Sequence, residues 1–407
     1  MEHRVVITGF GIYSCIGENN QEVLNSLQTG KSGIIYDKSR EDFGYRSCLT
    51  GMVKDPDLKP FLNRRERIGM HQPAMYAYMS TKEALEMAKL DADFFAKNET
   101  GIIYGNDSTA GSIVETIDKA RDRKDTTLIG SGDIFQNMNC TVNMNLSTIY
   151  KLKGINLTLS AACASGSHAI GMGYLMIKAG LQDRIICGGA QEINIYTMGS
   201  FDGLSVFSIK QDTPEKASRP FDRDRDGLVP SGGAATVILE SLESAKKRNA
   251  KIYGEVIAYG FSSNGDHISN PNFDGQYRSL QMALKNAKLK GEKIDYINAH
   301  ATSTPVGDAT EAEALFQVFG SKTPISSTKS MTGHECWMAG ASEIVYSLLM
   351  MQNDFIAPNI NFENPDENSA KINIIAEKKE QKLDNFLSNS FGFGGTNSSL
   401  IIKKYKH

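Results

Sequence analysis

The sequence predicts an α/β protein built in layers, and two patterns carry that expectation. Short apolar runs alternate with amphipathic helical stretches along the chain, and the opening pattern starts again near residue 250. The runs are Val5 to Ile7, Gly101 to Tyr104, Ile185 to Gly189, Ala235 to Leu239, Ile252 to Ala258, Tyr296 to Ala299 and Leu400 to Ile402. Each is short enough for a buried strand and too short for a helix. Between them, Thr81 to Lys89, Ser167 to Lys178 and Gln276 to Ala287 place apolar residues at helical spacing. Strands that alternate with helices imply a sheet covered by helices.

At 407 residues the chain exceeds the usual size of one core, so it forms either one large body or two packed halves. The cluster Lys246-Lys247-Arg248 marks a break in composition. Beyond it, Ile252 to Gly260 and then Ser262-Ser263-Asn264-Gly265 repeat the form of Val5 to Gly11. The expectation is two halves of similar α/β design, residues 1–250 and 251–407, against the plainer alternative of two unrelated halves.

Composition narrows the class of function. A hydrophobic content of 40% with 22% charged residues excludes a disordered or fibrous chain. Basic and acidic residues number 44 and 47, a net charge of −3, which argues against a nucleic-acid partner. Arg64, Arg65 and Arg67, near Lys59, make one basic patch that either meets an acidic partner or is simply solvated. The chain enters its first strand directly at Val5, with no signal peptide and no apolar stretch long enough to span a bilayer. Six cysteines lack any C-x-x-C pair, which reads as free thiols in a reducing cytoplasm and not as a zinc site.

Four segments hold candidate chemistry. In Asn156 to Gly171 a strand-like run ends, small residues crowd around Cys163, and a helix follows. Unpaired N–H groups and the dipole at such a helix start favour thiolate over thiol, so Cys163 is a candidate nucleophile. A small core cysteine among alanines has the same local look. In Tyr296 to Asp308 a strand runs into a loop that begins with His300, and in Ile325 to His334 a strand and polar loop lead to a second histidine that opens another helix. An imidazole so placed donates a hydrogen bond to a developing oxyanion, and a helix N-terminus keeps it neutral. The chain has seven histidines, so two at equivalent strand ends form a pattern. The fourth segment, Ser388 to Asn397, reads as a loop before the closing strand. Its glycines let a backbone N–H approach an oxyanion while Phe391 and Phe393 cover an apolar channel. It lacks the lysine and the strand-to-helix setting of a phosphate loop.

Together these segments resemble the β-ketoacyl-acyl-carrier-protein synthases of type II fatty acid synthesis, nearest the elongating synthase I and II branch of the thiolase superfamily. The likeness runs along essentially the whole chain and extends to Arg4 to Gly9, Asp212 to Asp222 and Arg225-Asp226-Gly227. It implies a thiolase-like five-layer αβαβα architecture with two pseudo-symmetric halves. The first half would carry the nucleophilic cysteine and the dimer interface, the second the histidine pair and a gating loop. The implied reaction is decarboxylative Claisen condensation of malonyl-acyl carrier protein with an acyl group on Cys163, in fatty acid or polyene/polyketide-like biosynthesis. The products are a 3-oxoacyl-acyl carrier protein and CO2.

By the same resemblance His300 and His334 hydrogen-bond the malonyl thioester carbonyl, and the N–H groups of Cys163 and Phe393 form the oxyanion hole. Phe391 and Phe393 gate the acyl site, Thr302 and Thr304 bind the pantetheine arm, and Lys329 pairs with Glu343 to organise the centre. Asp308 and Glu311 would hold the loop after His300. No cofactor and no metal is implied. The partner is acyl carrier protein, for which Arg64, Arg65 and Arg67 would form a basic entrance, and the chain would form a homodimer or a heterodimer with a related subunit.

Two stretches depart from the family. After His334 a small, glycine- and alanine-rich turn is typical, but here Glu335-Cys336-Trp337-Met338 precedes Ala339-Gly340, with the only tryptophan of the chain. Trp337 either fills core space or narrows the acyl tunnel. Gly105-Asn106-Asp107-Ser108-Thr109 stands where a glycine-rich or apolar stretch is usual, and buried polar groups there need partners or penalise a long saturated chain. Both departures suggest a specialised synthase for which saturated long acyl chains are poor primers. Two rivals to an active synthase are a chain-length partner subunit, which usually lacks the cysteine, and a catalytically silent scaffold that binds carrier proteins. A degradative thiolase, with a second cysteine as base, fits the Cys-His-His set poorly.

Overall fold

Residues 2–406 are described by the computed structural model, and one mixed sheet of eleven strands organises them. Its first five strands are β1 (Val5–Ser14), β2 (Gly101–Gly105), β3 (Asn156–Leu159), β4 (Arg184–Gln191) and β5 (Gly233–Ser241). The other six are β6 (Gly254–Ser263), β7 (Ile297–Asn298), β8 (Pro324–Ser326), β9 (Asn373–Ile374), β10 (Asn385–Gly392) and β11 (Thr396–Lys403). All seven apolar runs lie in or across strands, although the run from Ile252 pairs only from Gly254 and the run from Tyr296 shrinks to Ile297–Asn298. β1, β4 and β5 are buried at every position, which is why they read as unbroken apolar runs: helices cover both faces.

The strand order is β9-β8-β7-β10-β11-β6-β1-β5-β4-β2-β3. Outward from the β1/β6 seam, each half repeats one plan, first strand, last strand, second-to-last, second, third, and the second half adds β9 at its edge, parallel to β8. The pairings repeat as well. β1/β5 and β5/β4 are antiparallel, β4/β2 and β2/β3 parallel; β6/β11 and β11/β10 are antiparallel, β10/β7 and β7/β8 parallel. The halves join where Val5 faces Val256 and Ile7 faces Gly254. The pseudo-symmetry expected of the thiolase-like fold is therefore present in the ladder itself.

The six longest helices of the described residues are α1 (Gln72–Ala88), α2 (Ala110–Arg123), α3 (Ser165–Lys178), α4 (Phe273–Ala287), α5 (Pro305–Phe319) and α6 (Ala339–Gln352). α1 covers the outer face of β1, β5 and β4, while α4 covers β6 and β11 with α5 beside it. α3 and α6 pack on each other and on strands of both halves, and so form the central layer. α1 starts well before the expected Thr81. Pro73 in its first turn forfeits no helical bond, and burial of Ala74, Tyr76, Ala77, Tyr78 and Ser80 blurs the helical period. Gly9 and Gly11 admit α1 to β1: a Cβ on either would lie 2.2 Å from a helix carbonyl oxygen, of Ala84 or Ser80. Among the described residues no helix is long and apolar enough to cross a membrane.

The segment Ser388 to Asn397, read from sequence as a loop, is instead a hairpin. β10 runs through Gly392, a tight turn covers Phe393–Gly395, and β11 begins at Thr396. Gly394 and Gly395 have φ of 76° and 74°, the left-handed region that this turn requires.

One buried charge ties the first half together. Glu240 on β5 is fully buried and accepts from Thr8 (3.1 Å), Ser244 (2.8 Å), Arg184 and Arg248 (2.7 Å). Burial pushes its pKa up, but hydrogen bonds from the two arginines outweigh that and hold the carboxyl below its ordinary range. Arg248 belongs to the basic cluster that marks the composition break. Replacement Glu240→Ala strands two arginines without their carboxylate, and the expected loss is about 3–5 kcal/mol of unfolding free energy in urea titration; a loss under about 1 kcal/mol would count against this role.

Candidate active site

The candidate residues gather where the parallel strands of the two halves end. Cys163 follows β3, His300 follows β7, and His334 follows β8. The carboxyl ends of parallel strands are where α/β sheets place their ligand sites. A cavity of about 480 Å³ is lined by Cys163, His300, His334, Thr302, Thr304, Phe391 and Phe393 together.

Cys163 sits in a tight turn, Ala162–Ala164, that leads into α3. Ala162 has φ +46°, unusual for a residue with a Cβ, and the turn is pinned from both sides. Ser165 Oγ accepts from Ala161 N–H (2.8 Å) and donates to Ala162 C=O (2.7 Å), while the Asp107 carboxylate accepts from Ala162 N–H (3.1 Å) and from the Ser160 hydroxyl. The N–H groups of Phe393 and of Cys163 itself are directed at the sulfur. Gly392 allows that approach, since a Cβ there would lie 3.2 Å from Cys163 N.

The expectation of a resting thiolate is overturned. Burial pushes the Cys163 thiol up to about 12, and the opposing effects of Lys329 and the two N–H groups are smaller. The helix start lies in a dry interior, and loss of solvation outweighs partial charges.

His300 is oriented through its backbone. Glu311, on α5, accepts from His300 N–H (2.9 Å) and Ala301 N–H (2.6 Å) and is itself bound by Asn389 (3.2 Å). Burial pushes the Glu311 carboxyl up to about 7. Asp308 also lies on α5 and not in a loop, and it does not bind His300. Its carboxyl receives Phe221 N–H (2.8 Å) and lies beside Arg225 (3.6 Å), whose own guanidinium donates to the Thr304 and Pro305 carbonyls, so it shapes the stretch after the histidine. Thr302 and Thr304 hydroxyls lie 3.1 Å apart on the cavity wall. The motif residues Arg219 and Gly227 bind the same stretch through Ser303.

His334 does not open a helix directly. A helical turn, Lys329–Thr332, precedes it, and a second turn, Cys336–Met338, separates it from α6. Its backbone is paired with Val229 and Ser231. Cys336, at φ +44°, turns its N–H back to donate to His334 Nδ1 at 3.3 Å. That bond makes Nδ1 the acceptor and leaves the proton on Nε2. The His300 and His334 rings meet edge-to-face at 5.2 Å, and Phe391 packs on His300 at 5.9 Å. Both imidazoles are held well below their ordinary pKa, first by burial and then by the charge of Lys329. They are neutral, as expected, but not because of a helix terminus.

Lys329 and Glu343 form a fully buried ion pair, each 1% exposed. Burial raises the Glu343 carboxyl and the ammonium opposes that rise. The polar departure at 106–109 is hydrogen-bonded except at the buried Asn106 Oδ1, which has no partner among the described residues. Asn106 and Thr109 donate to Asn139 and Asn137 carbonyls, and Ser108 donates to the buried Glu192. Glu192 also receives Ala110 and Gly111 N–H at the start of α2. Glu335 points away from the cavity, into bonds with Tyr346 (2.7 Å) and Ser342. Arg64 and Arg65 lie exposed on a helical turn, Arg64–Arg67, outside the cavity lining.

Sequence reasoning missed Phe201, Leu204 and Val206, which line the cavity from a segment with no motif, and missed that Asp107 pins the Cys163 turn. Nothing local signals the first three. The polar run around Asp107 was the visible sign of the last.

Comparison with known proteins shows the family. Residues 2–245 match the N-terminal domain of the β-ketoacyl synthases and residues 253–363 the C-terminal domain. The chain is 44% identical to 3-oxoacyl-[acyl-carrier-protein] synthase 1 of Haemophilus influenzae over 408 aligned positions, 99% of each chain. A crystal structure of a β-ketoacyl synthase from Burkholderia phymatum superposes with a TM-score of 0.94 at 34% identity, over 99% of this chain and 100% of that one. A type II polyketide ketosynthase, solved with its acyl carrier protein and a bound hexaketide, superposes with a TM-score of 0.90 at 28% identity and full coverage of both chains. From the matched domains, the fold and the full-length identity, this chain belongs to the β-ketoacyl synthase family.

Proposed function

We propose that the protein condenses malonyl-acyl carrier protein with an acyl group held on Cys163, releasing CO2 and forming a 3-oxoacyl-acyl carrier protein. The observation that carries this reading is the convergence of a buried cysteine and two neutral histidines, 5.2 Å apart, on one cavity. The Haemophilus relative is named for that activity, and it is an acyltransferase reaction.

In the first half-reaction the Cys163 sulfur attacks the acyl thioester. The carbonyl oxygen, as it gains charge, takes the two N–H groups now aimed at the sulfur, those of Cys163 and Phe393. The C–S bond to the carrier's pantetheine breaks, and its thiolate leaves with the proton that Cys163 gave up. Because the resting thiol is protonated, a neutral imidazole must relay that proton. His300 makes no ring hydrogen bond to the described residues and is free to accept it.

In the second half-reaction Thr302 and Thr304 hold the malonyl carrier's pantetheine arm. The C–C bond to the carboxylate breaks, CO2 departs, and the electron pair forms an enolate whose oxygen accepts from His334 Nε2–H and from His300. The enolate carbon attacks the acyl-cysteine carbonyl, the tetrahedral oxyanion sits in the N–H pair, and the Cys163 thiolate is expelled and reprotonated. Lys329 does not touch substrate in this scheme. Burial, reinforced by the Lys329 charge that Glu343 holds in place, keeps both histidines neutral and hence able to hydrogen-bond an oxyanion. Phe391, near the end of β10, and Phe393, in the turn with Gly394 and Gly395, gate the acyl site.

The carrier protein is acidic by its role, and exposed Arg64 and Arg65 with Arg67 supply a basic docking surface for it. A dimer through the first half is supported by β3, an edge strand with Leu157 51% exposed, and by exposed Met172 and Leu175 on α3. Two copies of this chain are the simplest pair, with a related subunit the alternative. Residues 1–250 thus supply the nucleophile and 251–407 the histidines. Six free cysteines suit the cytoplasm.

Two outcomes are expected. His300→Ala and His334→Ala each slow CO2 release from malonyl carrier by about 10²–10³-fold; acyl transfer to Cys163 persists in His334→Ala, slows in His300→Ala, which has lost the proton relay, and is lost in Cys163→Ser; isotope-labelled malonyl and acyl carriers measure both, and undiminished decarboxylation by the histidine variants would refute the assignment. Since a lowered imidazole pKa preserves the neutral form as pH falls, the His300 and His334 ring resonances stay unshifted from about pH 8 to about pH 6 in NMR titration. Movement centred near about 6.5 would show ordinary, solvated imidazoles.

A further inference from the structure

We infer that Trp337, with the aromatic cluster it backs, makes the acyl site selective for flat, conjugated acyl chains over saturated chains of the same length. This rests on the condensation reading above. The turn Cys336–Met338 that carries Trp337 has no slack. A Cβ on Gly189 of β4 would lie 2.9 Å from the Trp337 carbonyl oxygen and from Met338 Cα, and one on Gly166, in the first turn of α3, 3.1 Å from the same oxygen. The turn is thus clamped between β4 and the helix that presents Cys163, and the indole, 8% exposed, cannot retreat with its backbone.

Its ring meets Phe201 at 6.3 Å. Phe201 lies within 3° of parallel to Phe207 at 6.2 Å and within 14° of parallel to Phe393 at 5.9 Å. Phe201 and Phe393 line the cavity with Cys163. An acyl chain bound to the Cys163 sulfur therefore lies beside the Phe201 and Phe393 rings, with the buried indole of Trp337 behind Phe201.

Two effects at such a wall favour a conjugated chain. A saturated chain must freeze a rotor at each methylene to lie flat against the rings, whereas a conjugated chain is already planar. Its π-face also gains offset stacking on the rings, beyond simple area burial. Stacking of one aromatic-type contact corresponds to a preference of about fivefold. The polar residue of the same departure, Glu335, is engaged with Tyr346 and Ser342 and does not reach the chain.

The test uses the full-length protein with malonyl carrier and two acyl carriers of equal carbon number, hexanoyl and 2,4-hexadienoyl, and products read by mass spectrometry. The expected result is a kcat/KM at least about fivefold higher for the dienoyl carrier. Trp337→Leu brings the two substrates within about twofold of each other, while Trp337→Phe, which keeps a flat ring, retains most of the preference. Should Trp337→Leu fail to fold, Phe201→Leu interrogates the same wall. Equal or better use of the hexanoyl carrier by the native protein, or a ratio unchanged in the leucine variants, overturns the inference and leaves the condensation reading standing. Native protein that condenses neither carrier overturns that reading as well.

Discussion

The chemistry of this site depends on one buried charge. Lys329 sits 1% exposed at the centre of the molecule, and an ammonium in such a place persists only with a partner, which Glu343 provides from α6. From there its field reaches every reactive group nearby. It adds to burial in holding His300 and His334 neutral, and it opposes burial at Cys163, Glu335 and Glu343. Burial nevertheless dominates at each of these groups. The site is a buried one in which imidazoles donate and a thiol waits protonated, so activation accompanies substrate entry and is not stored beforehand.

Geometry follows from repetition. Each half runs its strands in the same order with the same pairings, and the residues that matter stand at equivalent exits. The exits of the third strands carry Cys163 in one half and His334 in the other; those of the second strands carry Asp107 and His300. The repeated scaffold therefore hands the same two positions different tasks. Asp107 became the clamp on the Cys163 turn, while its counterpart His300 faces the cavity. Helices α3 and α6 between the halves bring these exits together, and Gly340 against Ser167 sets how closely they approach.

The unusual turn after His334 serves both the histidine and the wall of the cavity. Cys336 adopts a left-handed backbone and spends its N–H on His334 Nδ1, which decides the tautomer. The next residue, Trp337, closes an aromatic cluster beside the nucleophile. A substitution in this turn therefore has two routes to function, through the proton on Nε2 and through the shape left for an acyl chain.

While the pairing of Lys329 with Glu343 came only with the family resemblance, the sequence by itself determined the α/β class, the repeated start near residue 250 and the strand exits that bear Cys163, His300 and His334. These were legible because strand periodicity and local turn chemistry are short-range properties, and because a motif keeps its residues adjacent. Tertiary structure alone decided the rest. The hairpin at Phe391 to Gly395 depends on a partner strand, the start of α1 at Gln72 is hidden by burial on most of its sides, and Phe201, Leu204 and Val206 reach the cavity from a segment with no local signal. Protonation was the deepest such case. A helix start beside a cysteine reads locally as a thiolate, but desolvation by residues distant in the chain reverses that balance, and no window of sequence contains it.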